Sequence, residues 1–585
     1  MIARPAAQED PSGVADGRVA RVIASIVTDK AGARMPRQIP YIIASEGCER
    51  FSYYGMRNIL FQFLPVSMLM LHLPEAERAG AAKDVFHTFA MGVYFFPLLG
   101  GYLADRFFGK FNTIFWFSMI YCLGHAFLAI FEDSRTGFYS GLFLIALGAG
   151  GIKPLVASFV GDQFDDRNKH LAKLVFDAFY WIINFGSFFA SLLMPVFLAS
   201  YGPSVAFGIP GALMFIATVV LVAARKRYVM VEVQPPNPNS FMRVAKTALF
   251  SQAGGHGNGF YVAVAGAVLA AGALALLPLG YLAFAPTICL ALVIVLAFAG
   301  IGTSMQLDRA RGIHTDEAIE GVRAVLRILI IFALVTPFHS LFDQKATEWV
   351  KQGQAMVIPA WEINLGFLGT WETNFLPAQM QAFNPLMVML LIPFNNLVLY
   401  PLMHRLGYEP TTLRRMTWGI VFSGIAWIAA GSLQVVLDGG DKLTILWQIL
   451  PYALLTFGEV LVSATGLEFA YSQAPLAMKG VIMSFWNLTT TVGNLWVLLV
   501  DAGVRNDTVT SKIKDTGLSE TAFLMFFFAG FAFLAALAFK LYVKRYKVLD
   551  NYRKQQPKVS RDVVPDRAAG AAALPEARDV SDRDK

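Results

Sequence analysis

Two glutamates and an arginine lie close together inside a long apolar stretch near the start of the chain. They belong to Glu46-Gly-Cys-Glu-Arg-Phe-Ser-Tyr-Tyr-Gly55, within an apolar run from about residue 39 to 71. On a helix, one face carries Glu46, Glu49, Arg50, Tyr53 and Arg57. A charge near the bilayer centre costs roughly 2.5–3.5 kcal/mol. We therefore expect this face to line a hydrated functional cavity, the alternative being an ion-pair lock that only holds helices together.

Other ionisable residues occur in later apolar runs. Lys153 lies beside a proline in the small-residue segment Gly148-Ala-Gly-Gly-Ile-Lys-Pro154, whose surface lets another helix approach closely. A lysine in the middle of a helix needs a carboxylate partner unless it extends to the interface. Glu459 and Glu468 lie about two and a half helical turns apart. These two glutamates therefore need not share a site.

The composition predicts a polytopic membrane protein. Of 585 residues, 56% are hydrophobic and 15% are charged, whereas soluble proteins carry about 25% charged residues. Segments of about 20 apolar residues, long enough to span a bilayer as a helix, recur along the chain, and the alternating pattern of a membrane barrel does not. Basic cytoplasmic loops account for the net charge of +7, so we expect no nucleic-acid partner.

The apolar runs predict an all-α fold with twelve core transmembrane helices in two six-helix bundles, plus an inserted two-helix hairpin. Six plus six suggests two related halves with a site between them at mid-membrane. The expected segments are a cytoplasmic N-terminal segment (1–37), an N-terminal bundle (38–227), a cytoplasmic linker (228–258), the inserted hairpin (259–303), a cytoplasmic loop (304–323), a C-terminal bundle (324–547) and a cytoplasmic, disordered tail (548–585).

Basic residues cluster at the N-terminus, after even-numbered helices and after the last helix, which places both termini in the cytoplasm by the positive-inside rule. The first 37 residues lack the apolar core of a cleavable signal peptide. Within them, Val19, Val22, Ile23 and Ile26 predict a helix on the inner membrane surface, or else a disordered tail. These features suit a multi-pass protein of the bacterial inner membrane.

Motifs of catalytic or metal sites are missing from the sequence. It contains no HExxH, no Walker-type phosphate loop and no Cys/His cluster. Cys48, Cys122 and Cys289 all lie within apolar runs, so we expect neither a disulfide framework nor a metal site. We therefore expect no enzyme activity and no cofactor. A receptor or scaffold would leave the buried charges unexplained, so transport is the favoured function.

Several segments, in order and spacing, resemble the proton-coupled oligopeptide transporter (POT, or PTR2) family of the major facilitator superfamily, in its bacterial type. The resemblance extends from about Pro36 to Lys547. The segments that carry it are Glu46–Gly55, Gly100–Lys110, Gly148–Phe164, Phe179–Ser187, Phe342–Gln344, Asn384–Pro385 and Gly458–Pro475.

The resemblance implies import of di- and tripeptides, and of peptide-like drugs, driven by the proton gradient and carried out by a monomer. It implies that Arg50 and Lys153 bind the peptide carboxylate and that Glu468 binds the peptide amine. Every short peptide shares these termini, which explains tolerance of many side chains. The remaining peptide contacts of the family match Tyr53, Tyr54, Tyr94, Asn184, Asn384 and Trp486.

The resemblance also implies coupling and gating residues. Glu46 and Glu49, paired with Arg50 when ionised, match the proton-coupling acids, and His87 matches a histidine of proton handling in animal members. For His87, a structural hydrogen-bonded histidine is the alternative. Arg57 and Asp343 match a salt bridge of the family that acts as a gate on the extracellular side.

The chain departs from the family pattern beside this gate. His339 stands where the family often has tryptophan, and Lys345-Ala-Thr347 stands where glycine and serine are usual. His339 could add a second pH-sensitive group there. The nearest alternative function is the same fold carrying nitrate or amino acids. Plant relatives of that kind commonly lack the first-helix acids, so Glu46 and Glu49 favour peptide.

Overall fold

The computed structural model describes residues 35–165, 168, 171–233, 237–251, 255–280, 282–364, 370–473 and 478–546. The tail expected at 548–585, and most of the N-terminal segment, lie outside these residues. The described part is dominated by helices. One antiparallel hairpin, formed by β1 (Ala360–Asn364) and β2 (Thr370–Asn374), pairs Ala360 with Asn374 and Asn364 with Thr370.

The helices are numbered here in chain order. The first group is α1 (Ile39–Phe63), α2 (Glu75–Phe95), α3 (Pro97–Leu103), α4 (Lys110–Ile130), α5 (Arg135–Gly161) and α6 (Ala172–Ala223). Between the halves lie α7 (Phe241–Phe250), α8 (Asn258–Leu274) and α9 (Phe284–Gln306). The last group is α10 (Asp316–Gln344), α11 (Glu348–Gln354), α12 (Phe383–Phe394), α13 (Tyr400–Arg405), α14 (Thr412–Asp438), α15 (Ile449–Glu459), α16 (Thr465–Gln473), α17 (Lys479–Val504), α18 (Asp507–Asp515) and α19 (Glu520–Val543).

In the described part of the chain, nine helical segments are long and apolar enough to cross a membrane. One of them, Leu174–Ala223, contains Gly202 with φ 80° and ψ 174°. This backbone conformation favours glycine and divides α6 into two spans. Helices α1, α10 and α17 are also long enough to span, and α8 is a shorter apolar helix. Together these helices supply the fourteen expected spans.

Two hydrophobic cores organise the helices. One core consists mainly of residues from α1 to α6, where α1 packs along α6 and α4 packs against α5. The other consists of residues from α7 onward, where α14 packs against α19 and α10 against α17. Helices α8 and α9 pair with each other. The contact between α2 and α17 joins the two groups, so polar residues on these helices can meet across the interface.

Several boundaries differ from those predicted. The first helix was expected to reach residue 71 but ends at Phe63, because Pro65 lies in the 3-10 turn Leu64–Val66 that follows it. Helix α10 begins at Asp316, eight residues before the expected start, where the Thr315 side chain accepts a hydrogen bond from the Ala318 N–H. The expected linker also contains the amphipathic helix α7, whose Val244 and Ala248 are buried.

Two spans of the second half contain π-helical turns. Asn395–Leu399 separates α12 from α13, and Val460–Ala464 separates α15 from α16. Such turns insert an extra residue into a helix and often occur at functional sites. The second turn directly follows Glu459, so it changes the face on which Glu468 would lie in a regular helix.

Close packing of α4 and α5 depends on Gly148. A Cβ at this position would lie 2.7 Å from Cβ of Tyr121 and 2.8 Å from the carbonyl oxygen of Phe117. We expect Gly148→Ala to lower stability by about 1–3 kcal/mol, the usual cost of overpacking. Gly272→Ala is the matched control, because a Cβ there has nothing within 4 Å. Thermal unfolding of purified protein checks this; equal midpoints for the two variants would contradict it.

Candidate functional site

The buried face of α1 holds an arginine between two carboxylates. Arg50 Nε lies 2.9 Å from Oε1 of Glu46 and is also paired with the Glu49 carboxylate. All three side chains are buried, with Glu49 only 2% exposed. The helical spacing brings these groups together as the sequence predicts. The two carboxylates together carry one more negative charge than the single positive charge of Arg50 can balance.

Lys153 of α5 lies beside this group, against aromatic rings. Its ammonium is 3.5 Å from the ring centroid of Tyr53 and 4.4 Å from that of Tyr94. The expectation of a carboxylate partner is therefore wrong within the described part of the chain, where no ion pair of Lys153 is found. The two rings stabilise the cation by cation–π interaction, worth about 2 kcal/mol or more when desolvated. A further anion could bind this ammonium.

Tyr54 and Asn184 complete the first half of the site. The rings of Tyr53 and Tyr54 meet edge to face at 5.1 Å. Tyr54 lies within electrostatic range of Arg50 in its own half and of Glu459 in the other half. The Asn184 side-chain amide donates to the Tyr180 carbonyl oxygen at 3.0 Å, which positions its side chain on α6. Tyr54 therefore lies between the two halves.

The second half of the site is a chain of three polar side chains. Asn384 Oδ1 accepts a hydrogen bond from the Lys345 ammonium at 2.8 Å. Asn384 Nδ2 donates to Oε2 of Glu459 at 2.6 Å and to the Thr456 hydroxyl at 2.9 Å. Asn384 thus connects a cation and an anion. The predicted binding residue Asn384 is in place, and its acidic partner is Glu459.

Glu468, the residue expected to bind the peptide amine, lies elsewhere. Its side chain is 50% exposed and pairs with Arg415 at 3.2 Å. The structure does not bring Glu468 to the cluster formed by Arg50 and Lys153. Its span extends over Ile445–Ala470, so Glu468 lies near one end and Glu459 near the middle. Position along the span, rather than motif order, distinguishes the two glutamates.

Trp486 packs within the second half. Its ring meets that of Phe332 edge to face at 5.2 Å and that of His339 at 5.9 Å. His339 is also 3.4 Å from the Thr490 hydroxyl, and its ring is buried. Gly493 lies against the backbone of α10 at Ser340. His339 thus occupies a packed position between α10 and α17.

A buried ion pair joins the halves. Arg57 of α1 lies 2.6 Å from Oδ1 of Asp343 on α10. The other carboxylate oxygen of Asp343 accepts from Asn494 at 2.6 Å, and Asn494 Oδ1 is 2.7 Å from Nδ1 of His87. His87 is completely buried and has Thr347 at 3.4 Å from Nε2. The predicted gate pair and His87 therefore form one network across the interface.

A second ionic cluster lies one turn away on α2. Lys83 is 2.9 Å from both Glu348 and Asp501, and all three residues are buried. Arg505 pairs with Asp84 nearby. These contacts connect α2 with α11 and with the end of α17. These ion pairs could not be predicted from the sequence, because the partners are far apart along the chain. The one available signal was the position of Lys83, one helical turn before His87.

The described residues contain no group of three or more His, Cys, Asp or Glu side chains that could hold a metal ion. Cys48, Cys122 and Cys289 are thiols that form no disulfide with one another.

Comparison with known proteins identifies the family. Residues 111–516 match the family model PTR2, described as the POT family. The chain belongs to the POT family. It is 65% identical to a structure described as an auto-inhibited POT family peptide transporter, with a TM-score of 0.84, covering 89% of this chain and 99% of that one. The in meso structure of the POT family transporter PepTSo is 60% identical, with a TM-score of 0.84, covering 89% and 100%.

These matches establish the major facilitator fold. Among curated relatives of this POT family chain, solute carrier family 15 member 2 of Danio rerio is 30% identical over 418 residues. The match covers 69% of this chain and 50% of the relative. The chain therefore spans about half the length of the curated relatives it matches.

The Arg57–Asp343 pair predicts a specific pattern of stability changes. Asp343→Asn leaves Arg57 buried without a counter-charge, so we expect a loss of about 3–5 kcal/mol. The double variant Arg57→Gln with Asp343→Asn removes both charges and should recover part of that loss. Thermal unfolding of the purified variants measures this. The prediction would be contradicted if adding Arg57→Gln to Asp343→Asn lowered stability by as much as Arg57→Gln does alone.

Proposed function

We propose that the chain is a proton-coupled symporter that imports di- and tripeptides by alternating access. The observation that carries this proposal is the polarity of the site: the cations Arg50 and Lys153 lie in one half and the carboxylate of Glu459 in the other, with Tyr54 between them. A short peptide is a zwitterion with the complementary charges. The similar structure that is described as a POT family peptide transporter supports the same substrate class.

In this proposal the peptide carboxylate binds Arg50 and Lys153, and the peptide ammonium binds Asn384 and Glu459. Glu459 replaces Glu468, because only Glu459 is buried in the interface network. The residues proposed to contact the peptide body are Tyr53, Tyr54, Tyr94, Asn184 and Trp486. These contacts discriminate little among the side chains of the bound peptide. Peptide-like drugs with the same backbone groups could therefore bind as well.

Proton coupling is assigned to the acids of α1. When Glu46 and Glu49 are both ionised, they share Arg50. A proton on either acid weakens its hold on the guanidinium, which can then bind the substrate carboxylate. Proton uptake and peptide binding would thus favour each other, as linkage requires. His87 would assist by its hydrogen bond to Asn494 at the gate.

The Arg57–Asp343 pair is the proposed outer gate. The positive-inside rule supports cytoplasmic termini, and with that orientation the end joined by Arg57, His87 and Lys83 would be extracellular. The described interactions then belong to a carrier closed to the outside. We further propose a monomer in a bacterial inner membrane, with each half of the gate moving with its own bundle.

Uptake by liposomes tests the function. Purified protein with an inside-negative, inside-alkaline gradient should accumulate labelled dialanine above equilibrium, and a proton ionophore should abolish this. Glu49→Gln should weaken accumulation driven by protons, because one of the two acids that share Arg50 can no longer carry a proton, while retaining exchange of peptide. If correctly folded wild-type protein takes up no dialanine, the proposal is withdrawn. Nitrate and amino acids are then tested as substrates.

The assignment of the amine site has its own test. Glu459→Gln removes a buried charge, so dialanine binding should weaken by about 2 kcal/mol or more, roughly a thirtyfold higher Kd. Glu468→Gln is the matched control, because an exposed ion pair contributes about 0–1 kcal/mol and lies outside the site. Isothermal titration of the two variants gives the comparison. A larger loss in Glu468→Gln than in Glu459→Gln would restore the original assignment.

A further inference from the structure

Lys345 is a buried cation at the amine-binding end of the site. It follows the last residue of α10, and 4% of its surface is exposed. Its ammonium lies 3.4 Å from the ring centroid of Phe342 and donates a hydrogen bond to Asn384 Oδ1 at 2.8 Å. Neither the outer gate nor the proton-coupling acids account for this contact. Lys345 is therefore a charged group of the site that the proposed transport mechanism leaves unused.

The partners of Lys345 are the groups assigned to the substrate. Asn384 accepts from Lys345 with its oxygen and donates to Glu459 with its nitrogen. A peptide ammonium that binds Glu459 would use the same Asn384 oxygen. Lysine Nζ and a peptide N-terminus are both primary ammonium groups with three donors. The two cations therefore compete for the same acceptor beside the same carboxylate.

The contacts of Lys345 allow it to be displaced. In the part of the chain that the structure describes, its ammonium forms a hydrogen bond to an amide and a ring contact, but no ion pair within 4 Å. The acidic groups that face it are Glu459 and Asp343, and Arg57 is the nearby cation. A flexible four-carbon stem lets the ammonium leave Asn384 while the backbone stays in place.

We propose that Lys345 is a tethered competitor of the substrate amine, which occupies Asn384 and neutralises Glu459 in the empty carrier and withdraws when a peptide binds. This inference rests on the proposed function and adds a specificity-determining residue to it. Because the competitor is tethered, its effective concentration is on the order of millimolar. A simple amine cannot outcompete it, whereas a peptide gains additional binding energy from Arg50 and Lys153.

The proposal has a measurable consequence for affinity. If Lys345 occupies the site about nine-tenths of the time, it raises the apparent Kd of the substrate about tenfold. Lys345→Gln keeps a donor for Asn384 and removes the charge. Dialanine should therefore bind about tenfold more tightly to this variant. N-acetyl-dialanine has no ammonium, so its Kd should change by less than about twofold.

Isothermal titration of the full-length carrier in detergent tests this with dialanine and N-acetyl-dialanine. Lys345→Arg keeps the cation and should stay near wild type, and Lys351→Gln, an exposed lysine on α11, is the matched control. Lys345→Met is a second neutral variant, judged by the same criterion. Unchanged or weaker dialanine binding in either folded neutral variant would overturn the proposal, and so would an equal gain for N-acetyl-dialanine.

The wild-type measurements separate the two proposals. Wild-type carrier that accumulates and binds dialanine establishes peptide transport whatever Lys345 does. In that case, a neutral variant with unaltered affinity removes only the tethered competitor. Wild-type carrier that neither binds nor accumulates dialanine withdraws the proposed function and, with it, the role of Lys345.

Discussion

The need to compensate buried charge determines the organisation of this protein. An isolated ion in a low-dielectric interior is costly, and the described helices carry many ionisable residues inside spans. Several of them are held by an ion-pair partner from the same half or the opposite half. Arg50 has two acids on its own helix, whereas Arg57 depends on Asp343 286 residues later. Pairing within one helix survives movement of the halves, and pairing between halves does not.

In the proposed mechanism, this distinction separates the coupling residues from the gating residues. Glu46, Glu49 and Arg50 belong to one helix, α1, so opening of the interface does not by itself separate them. The pair Arg57–Asp343 must break when α1 and α10 separate. Asn494 and His87 extend that pair by hydrogen bonds. Opening of the interface therefore breaks the contacts of several buried polar groups at once. This favours two discrete states over a continuous range of conformations.

The sequence allowed the spans, the buried face of α1 and the family to be predicted, because apolar length and 3.6-residue spacing are local properties. It did not distinguish Glu459 from Glu468. Both follow similar motifs, and the difference depends on depth in the span and on the π-turn after Glu459. The partnership of Lys345 with Asn384 was also missed. Such contacts depend on how distant helices pack, which spacing along the chain does not encode.

In the proposed mechanism, the formal charges of the site account for voltage-driven uptake of a substrate that is neutral overall. Glu46 and Glu49 balance Arg50 and Lys153, and Lys345 balances Glu459, so the ionised empty site has no net charge. A zwitterionic peptide leaves that balance unchanged. In that mechanism the coupling proton would add one positive charge to the loaded carrier, and moving one charge across the membrane is worth about 2.3 kcal/mol per 100 mV. In the proposed mechanism, the proton supplies the voltage dependence. Binding of the peptide termini would favour uptake of that proton, because proton uptake and peptide binding are linked.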